Sequence, residues 1–426
     1  MELKSWLASA NDPGSDFPIQ NLPYGVFASG NEDHIGVAIG DRILDLNACA
    51  RDGLLGGLPE AIVAACDAPI LNPLMALGTA SWSALRRRLT ALLDRDAADR
   101  DTQRRVAANL VPMSGTIMRL PASVGDYTDF NASIHHATRV GQLFRPQNPL
   151  LPNYKYLPIG YHGRASSIVV SGESIRRPRG QIKPQESDPV FVPTRSLDYE
   201  LEVGIFVGPG NSLGQRIPVA EAEHHIFALC LVNDWSARDI QSWEYQPLGP
   251  FLGKNFATTI SPWVVPLEAL APYRVAAFVR PAGDPAPLPY LESRTSDRDA
   301  IDLTLDVFLE SNLMRNAGIA PQLLGRSNLR HLYWTLAQMI AHHTSNGCNL
   351  RPGDLIATGT VSGPDAGSEG CLLELQRNPQ PVRLPTGELR RFLEDGDRVT
   401  FRAYCEKAGS PRIGFGECSG TIAASA

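Results

Sequence analysis

Leu197-Asp198-Tyr199-Glu200-Leu201-Glu202-Val203-Gly204-Ile205-Phe206-Val207 is the stretch whose reading sets the fold class. Leu201, Val203, Ile205 and Val207 alternate with Asp198, Glu200 and Glu202, which is the period of a half-buried strand. On such a strand Glu200 and Glu202 stand on one face, close enough to chelate a hard cation through oxygen. Taken alone, two alternating glutamates equally describe a solvated polar face. The apolar run Ile226 to Val232 adds weight to chelation, because Asn233-Asp234-Trp235-Ser236 follows it and leaves a carboxylate at the end of a buried strand.

Around these two strands the chain reads as β-rich α+β. Short β segments at Tyr24 to Ala28, His34 to Ile39 and Arg42 to Leu46 are separated by Gly-Asn and Gly-Asp turns, as in a small barrel or sandwich. From Ser81 the spacing of Leu85, Leu89, Leu92 and Leu93 predicts an amphipathic helix, and the charged stretch Arg95 to Arg105 continues it as helix or linker. A domain boundary falls near Arg119-Leu120-Pro121, dividing residues 1–120 from 121–426. Beyond it, strands punctuated by Pro and Gly dominate, interrupted by helical windows at Val219 to Ala228 and Ser327 to His343. The 37 Gly and 34 Pro suit many turns and short strands.

Composition narrows the function classes. Lys and Arg total 39 against 45 Asp and Glu, a net charge of -6 that speaks against a nucleic-acid-binding protein. The apolar runs are far shorter than the roughly 20 residues a bilayer demands, and Met1 to Gly14 is not a signal peptide. Seven Cys without a C-x-x-C pair read as free, buried thiols of a reducing cytoplasm. No G-x-S-x-G elbow, H-E-x-x-H or P-loop is present, Gly208-Pro209-Gly210-Asn211 reads as a turn, and nothing asks for a nucleotide.

Three further groups of residues carry chemistry. Ser236 and Asp239 have capping-box spacing, so a helix starting there places Arg238 and Gln241 together, able to stabilise an oxyanion; the same pattern describes an ordinary surface helix. Asp126 to His136 offers two Asp and two His at a loop–helix junction, enough for a general base and a metal carboxylate; paired His also describe plain surface or core residues. His224-His225 and His342-His343 show the same doublet and read as structural. Glu374 interrupts the apolar run Cys371 to Leu375, read as a strand; if buried it requires a partner such as His or Lys, and the alternative is an edge residue facing water.

Long motifs then resemble a known family. Tyr161-His162-Gly163-Arg164-Ala165-Ser166-Ser167, Asn233 to Gln241, Pro247 to Lys254, Asn346 to Asp354 and Asn21 to Phe27 are similar, in order, to the fumarylacetoacetase family. The resemblance implies a small N-terminal SH3-like β-barrel, a larger mixed β-roll C-terminal domain and a cytoplasmic homodimer. It implies hydrolysis of a carbon–carbon bond in 4-fumarylacetoacetate to fumarate and acetoacetate, the last step of tyrosine and phenylalanine degradation. The matching positions are His136 as base, Glu374 as its orienting carboxylate, and Arg238, Gln241 and Lys254 around the oxyanion. Asp129, Glu200, Glu202 and Asp234 match a divalent cation site, usually calcium. Lys254 and Thr258, with Asp234, match a magnesium position, where Lys254 could ligate only through its backbone carbonyl. Arg145, Tyr161, Gln241, Tyr245 and Thr360 match substrate contacts, and Asn131 stands where relatives carry Tyr. The alternatives are a related acylpyruvate or other β-diketone hydrolase, or a non-catalytic calcium-binding dimer.

Overall fold

The computed structural model describes residues 3–293, 295–378 and 380–426. The three expected N-terminal strands pair with two further ones into a five-stranded antiparallel sheet, in the order Leu110–Pro112, Arg42–Asp45, Glu32–Ile39, Tyr24–Ser29 and Met118–Arg119. Gly30 and Gly40 take positive φ at its two hairpin turns, where a side chain would be strained. The helix Thr79–Leu93 buries Trp82, Leu85, Leu89, Leu92 and Leu93 against the sheet's neighbourhood, and Asp99 caps a separate helix, Arg100–Ala107.

The rest of the chain is built on two sheets. The larger has eight strands, running Gly160–His162, Tyr127–Phe130, Leu355–Ala357, Leu201–Val207, Ile226–Asp234, Thr258–Ile260 and Ile168–Val170, with Val265–Pro266 paired to Ile226–Asp234 off that path. The smaller has five, in the order Gln322–Asn328, Thr304–Glu310, Arg398–Lys407, Ser410–Ala423 and Ser174–Arg176. Leu201, Val203 and Ile205 of the larger sheet share one core with Leu305, Val307 and Phe401 of the smaller, and Trp235 and Trp334 belong to it. The architecture is mixed α+β and strand-rich.

Several expectations are corrected. Every residue of Leu201–Val207 is buried, so this strand is covered on both faces and is not half-solvated: Leu201, Val203, Ile205 and Val207 pack into one core, while Phe206 packs into another, shared with the N-terminal segments. Val219 to Ala228 is not a helix. A single 3-10 turn at Ala222–His225 leads into the buried strand Ile226–Asp234, because tertiary pairing overrides local pattern. In the second window a strand, Gln322–Asn328, and a 3-10 turn precede the helix, which begins at Leu336 under a full Thr335–Gln338 capping box. Ser236 caps nothing: the helix Arg238–Glu244 follows Ala237, and the Ser236 hydroxyl donates to the Asp234 carbonyl. Glu374 lies on a short helix, Leu372–Leu375, and not on a strand.

Candidate active site and cation centre

Strand register gathers the acidic residues. Asp234 closes Ile226–Asp234 and pairs with Thr258, while Leu201 pairs with Asn233. Asp129 lies on Tyr127–Phe130, two strands away from Leu201–Val207 across Leu355–Ala357. Neighbouring strands therefore present Asp129, Glu200, Glu202 and Asp234 at one end of the sheet, all buried. Ligand oxygens of Asp129, Glu200 and Asp234 lie within 4.8 Å of one another.

Cationic and hydroxyl groups answer only part of this charge. The Lys254 ammonium donates to Glu200 and, at 3.0 Å, to Asp234; the Thr258 hydroxyl donates to Asp234 at 2.8 Å and the Tyr161 hydroxyl at 2.5 Å. Burial disfavours ionisation of Glu200, but Lys254, Arg238 and His136 together hold its carboxyl well below the usual range. Burial and the facing carboxylates push Asp129 and Glu202 well above it. Among the described residues no N–H or hydroxyl donor reaches either oxygen of Glu202, and the carboxyl beside it within hydrogen-bonding reach is that of Asp129. An acceptor pair buried at full cost, among other hard oxygens, fits a divalent cation held by oxygen ligands. Lys254 contributes its ammonium to the carboxylates, which leaves its side chain no lone pair for a metal.

A second cluster lies beside the first. Ser133 ends a loop after Tyr127–Phe130 and caps the helix Ile134–Phe144 by accepting from the His136 backbone N–H, which puts His136 in the first turn. The His136 Nδ1 is 2.8 Å from Glu374 Oε1. Glu374 also accepts from the Ser362 hydroxyl at 2.6 Å and from Arg139 at 3.2 Å. Burial opposes its ionisation, yet His136, Ser362 and Arg139 hold it down to about 2. Nε2 of His136 has no protein hydrogen bond among the described residues, so the ring offers one nitrogen outward while the other is held.

Comparison with known proteins accords with this geometry. A family model described as "Fumarylacetoacetate (FAA) hydrolase C-terminal" matches residues 127–423, and one described as "Fumarylacetoacetase N-terminal" matches residues 20–121. The chain is 50% identical to fumarylacetoacetase of Bos taurus over 419 residues, covering 96% of both chains. It is 50% identical to that of Arabidopsis thaliana over 425 residues, 98% of both, and 49% identical to that of Homo sapiens over 425 residues, also 98% of both. The chain belongs to the fumarylacetoacetate hydrolase family. Among solved structures, a fumarylacetoacetate hydrolase of Exiguobacterium antarcticum (TM-score 0.50, 17% identity, 95% of this chain and 99% of that one) shares the fold. So does maleylpyruvate hydrolase of Sphingobium sp. SYK-6 (TM-score 0.50, 15% identity, 95% and 100%).

The residues matched to this family fall around the two clusters. Tyr161, Asp234, Lys254 and Thr258 line a cavity of about 170 Å³. Arg145, Arg238, Gln241 and Tyr245 line another of about 160 Å³. Arg238 reaches Glu200 at 2.7 Å and Gln241 at 3.4 Å, so the helical pairing of residues 238 and 241 forms despite the different cap. Arg145 Nε, Thr360 Oγ1 and Asn131 Oδ1 are buried without hydrogen-bond partners among the described residues, and Thr360 lines neither cavity. His135 packs edge-on against Phe278 and His331.

Four residues were not singled out as partners from sequence. Asp198, read as one more polar position of the strand, is fully buried; it accepts from Arg238 Nε at 2.9 Å and from the backbone N–H groups of Leu372 at 2.8 Å and Leu373 at 3.0 Å. Arg139 stands three residues after His136, a spacing that places both on one helix face and could have revealed it. Ser362 carries no such signal, since it meets Glu374 from a separate loop. Cys371 stands three residues before Glu374, a spacing that a strand would send to opposite faces and that the observed helical turn brings together.

Proposed function

We propose that this chain is a metal-dependent hydrolase that cleaves 4-fumarylacetoacetate to fumarate and acetoacetate, the last step of tyrosine and phenylalanine degradation. The observation that carries the mechanism is the His136–Glu374 pair at 2.8 Å with Nε2 left free. Relatives named fumarylacetoacetase, about half identical over nearly the whole chain, support the substrate.

Glu374 holds the proton on Nδ1, so Nε2 is the nitrogen that accepts a proton from water. The resulting hydroxide oxygen bonds to the fumaroyl group's own ketone carbon, and that carbonyl's electron pair moves onto oxygen. Arg238 and Gln241, which line one cavity, and Lys254, which lines the other, are read as the groups that stabilise this oxyanion. Collapse breaks the carbon–carbon bond, fumarate keeps the new oxygen, and the departing carbon takes up the proton to give acetoacetate. The divalent cation, when bound by Asp129, Glu200, Glu202 and Asp234, supplies Lewis-acid stabilisation of the diketone and enolate charge. The family's preference supports Ca2+ or Mg2+. Arg145, Tyr161, Gln241, Tyr245 and Thr360 are read as contacts for the substrate's polar ends, with Asn131 near the carboxylate end.

Residues 1–120, read as an SH3-like barrel with its linker helix, and the catalytic domain 121–426 are taken as the two units. A cytoplasmic homodimer is supported by free thiols throughout and by exposed apolar side chains such as Leu248 and Phe251. No described helix is long and apolar enough to cross a membrane.

Loss of the diketone absorbance of fumarylacetoacetate tests the base. His136→Ala should cost on the order of 10² to 10⁴ in turnover in a protein that still folds, and His135→Ala should leave turnover within a few fold of wild type. If His135→Ala abolished turnover and His136→Ala did not, the assignment would be wrong.

A further inference from the structure

Beside the carboxylate centre, a set of donors of different chemical character converges on Glu374. The Cys371 sulfur lies 3.6 Å from Glu374 Oε1 and 3.9 Å from His136 Nδ1, which are themselves 2.8 Å apart. All three residues are buried, and their ligand atoms fall within 4.8 Å of one another. Tetrahedral zinc, with Zn–S of about 2.3 Å and Zn–N or Zn–O of about 2.0–2.1 Å, requires its ligand atoms roughly 3.3–3.6 Å apart. The observed triangle needs adjustments of about half an ångström to meet that.

We propose that His136, Cys371 and Glu374 form an inhibitory site for a soft divalent cation, Zn2+ or Cd2+, distinct from the oxygen-only centre that takes hard cations. Softness separates the two: thiolate and imidazole select zinc and its heavier congener, whereas carboxylates suit calcium and magnesium. Binding has a definite proton balance. The Cys371 thiol gives its proton to solvent, forming a sulfur–metal bond. The imidazole remains neutral but moves its proton from Nδ1 to Nε2, freeing Nδ1 to bind the ion. Thiolate and carboxylate then offset the two positive charges of the ion. Burial and the nearby Asp198 and Glu374 carboxylates push the free thiol well above its ordinary range, so it stays protonated until a cation displaces the proton.

Inhibition follows from the tautomer. With its proton on Nε2, His136 has no lone pair to accept the proton of water. This last step rests on the function proposed above; the binding site itself does not. Arg139, 3.2 Å from Glu374 Oε2, repels an incoming cation and sets part of the cost of filling the site.

The test titrates Cd2+ into the full chain kept in excess Ca2+, so that the carboxylate centre is already filled. Two readouts are taken: the ultraviolet thiolate-to-cadmium charge-transfer band, recorded without substrate, and the rate of loss of diketone absorbance. The expected result is a band that saturates at one ion per chain, with hydrolysis lost over the same concentration range. Cys371→Ser should remove the band and raise the inhibitory concentration at least tenfold, and Cys371→Ala, as a second variant, should do the same. A band of unchanged size in both variants, or inhibition at the same concentration, would overturn the site. A Cys371-dependent band in a chain that cleaves no fumarylacetoacetate would uphold the site and defeat the proposed function instead.

Discussion

At the scale of single residues, Glu202 is the most informative side chain, because both of its oxygens are buried and no N–H or hydroxyl among the described residues donates to them. Without a cation, burial and the facing carboxylates of Asp129, Glu200 and Asp234 drive it to hold a proton; with one it becomes a ligand. Glu202→Gln should therefore raise the unfolding temperature of the chelator-stripped protein. It should also abolish the stabilisation that wild type gains on adding Ca2+, which for saturation at 100 times Kd is about 2.7 kcal/mol. Equal gains in both proteins, read by thermal unfolding, would show that Glu202 holds no ion. Glu374 gives a pH prediction. Its folded value of about 2 lies below the ordinary 4.5, so its ionised contacts add stability that is complete above about 4.5 and is lost as pH falls towards 2. Thermal unfolding of wild type and Glu374→Gln should differ most near neutrality and converge towards pH 2; a constant difference across that window would contradict the assignment. The need of Glu374 for a partner was legible in the sequence, since a carboxylate in an apolar run must be paired once buried. Arg139 was legible only through its helical spacing from His136, and Ser362 was not, because its approach depends on how distant segments fold together.

At the scale of elements, alternation and apolar runs located the central strands, but they could not tell a strand covered on one face from one covered on both. Glu200 and Glu202 therefore read as ambiguous until Leu201–Val207 was seen flanked by strands on both edges and buried throughout. The run Cys371 to Leu375 is too short for periodicity to separate strand from helix. Asp198 decides it, receiving the N–H groups of Leu372 and Leu373 at the start of the helix Leu372–Leu375 while holding Arg238. One buried carboxylate thus ties the helix carrying Glu374 to the helix carrying Arg238. Asp198→Asn should destabilise by on the order of 3–5 kcal/mol, the usual cost of breaking a buried pair, and should lower turnover by loosening both helices. Urea unfolding that shows a loss below about 1 kcal/mol would mean that Arg238 is held adequately by Glu200 alone.

At the scale of the whole molecule, the N-terminal sheet does not stand apart. Val26, Val37 and Leu89 share a core with Phe206, Phe227 and Leu355 of the large sheet, and Tyr24 forms a bridge with Val264. Apolar contact across the two units couples their unfolding, so urea denaturation followed by tryptophan fluorescence and by circular dichroism should give one coincident transition. Two separated transitions would show that the units are energetically independent. The order of the family motifs was legible from sequence across nearly the whole chain, whereas this shared core was not, because neither unit's pattern names its partner. The same packing brings Asp129, Glu200, Glu202 and Asp234 to one end of a sheet beside His136. The decisive measurement is the rate of loss of diketone absorbance as Ca2+ is returned to chelator-stripped protein. Hydrolysis should be absent after stripping and should recover in step with one bound cation per chain; full hydrolysis by the stripped protein would contradict a cation-assisted cleavage.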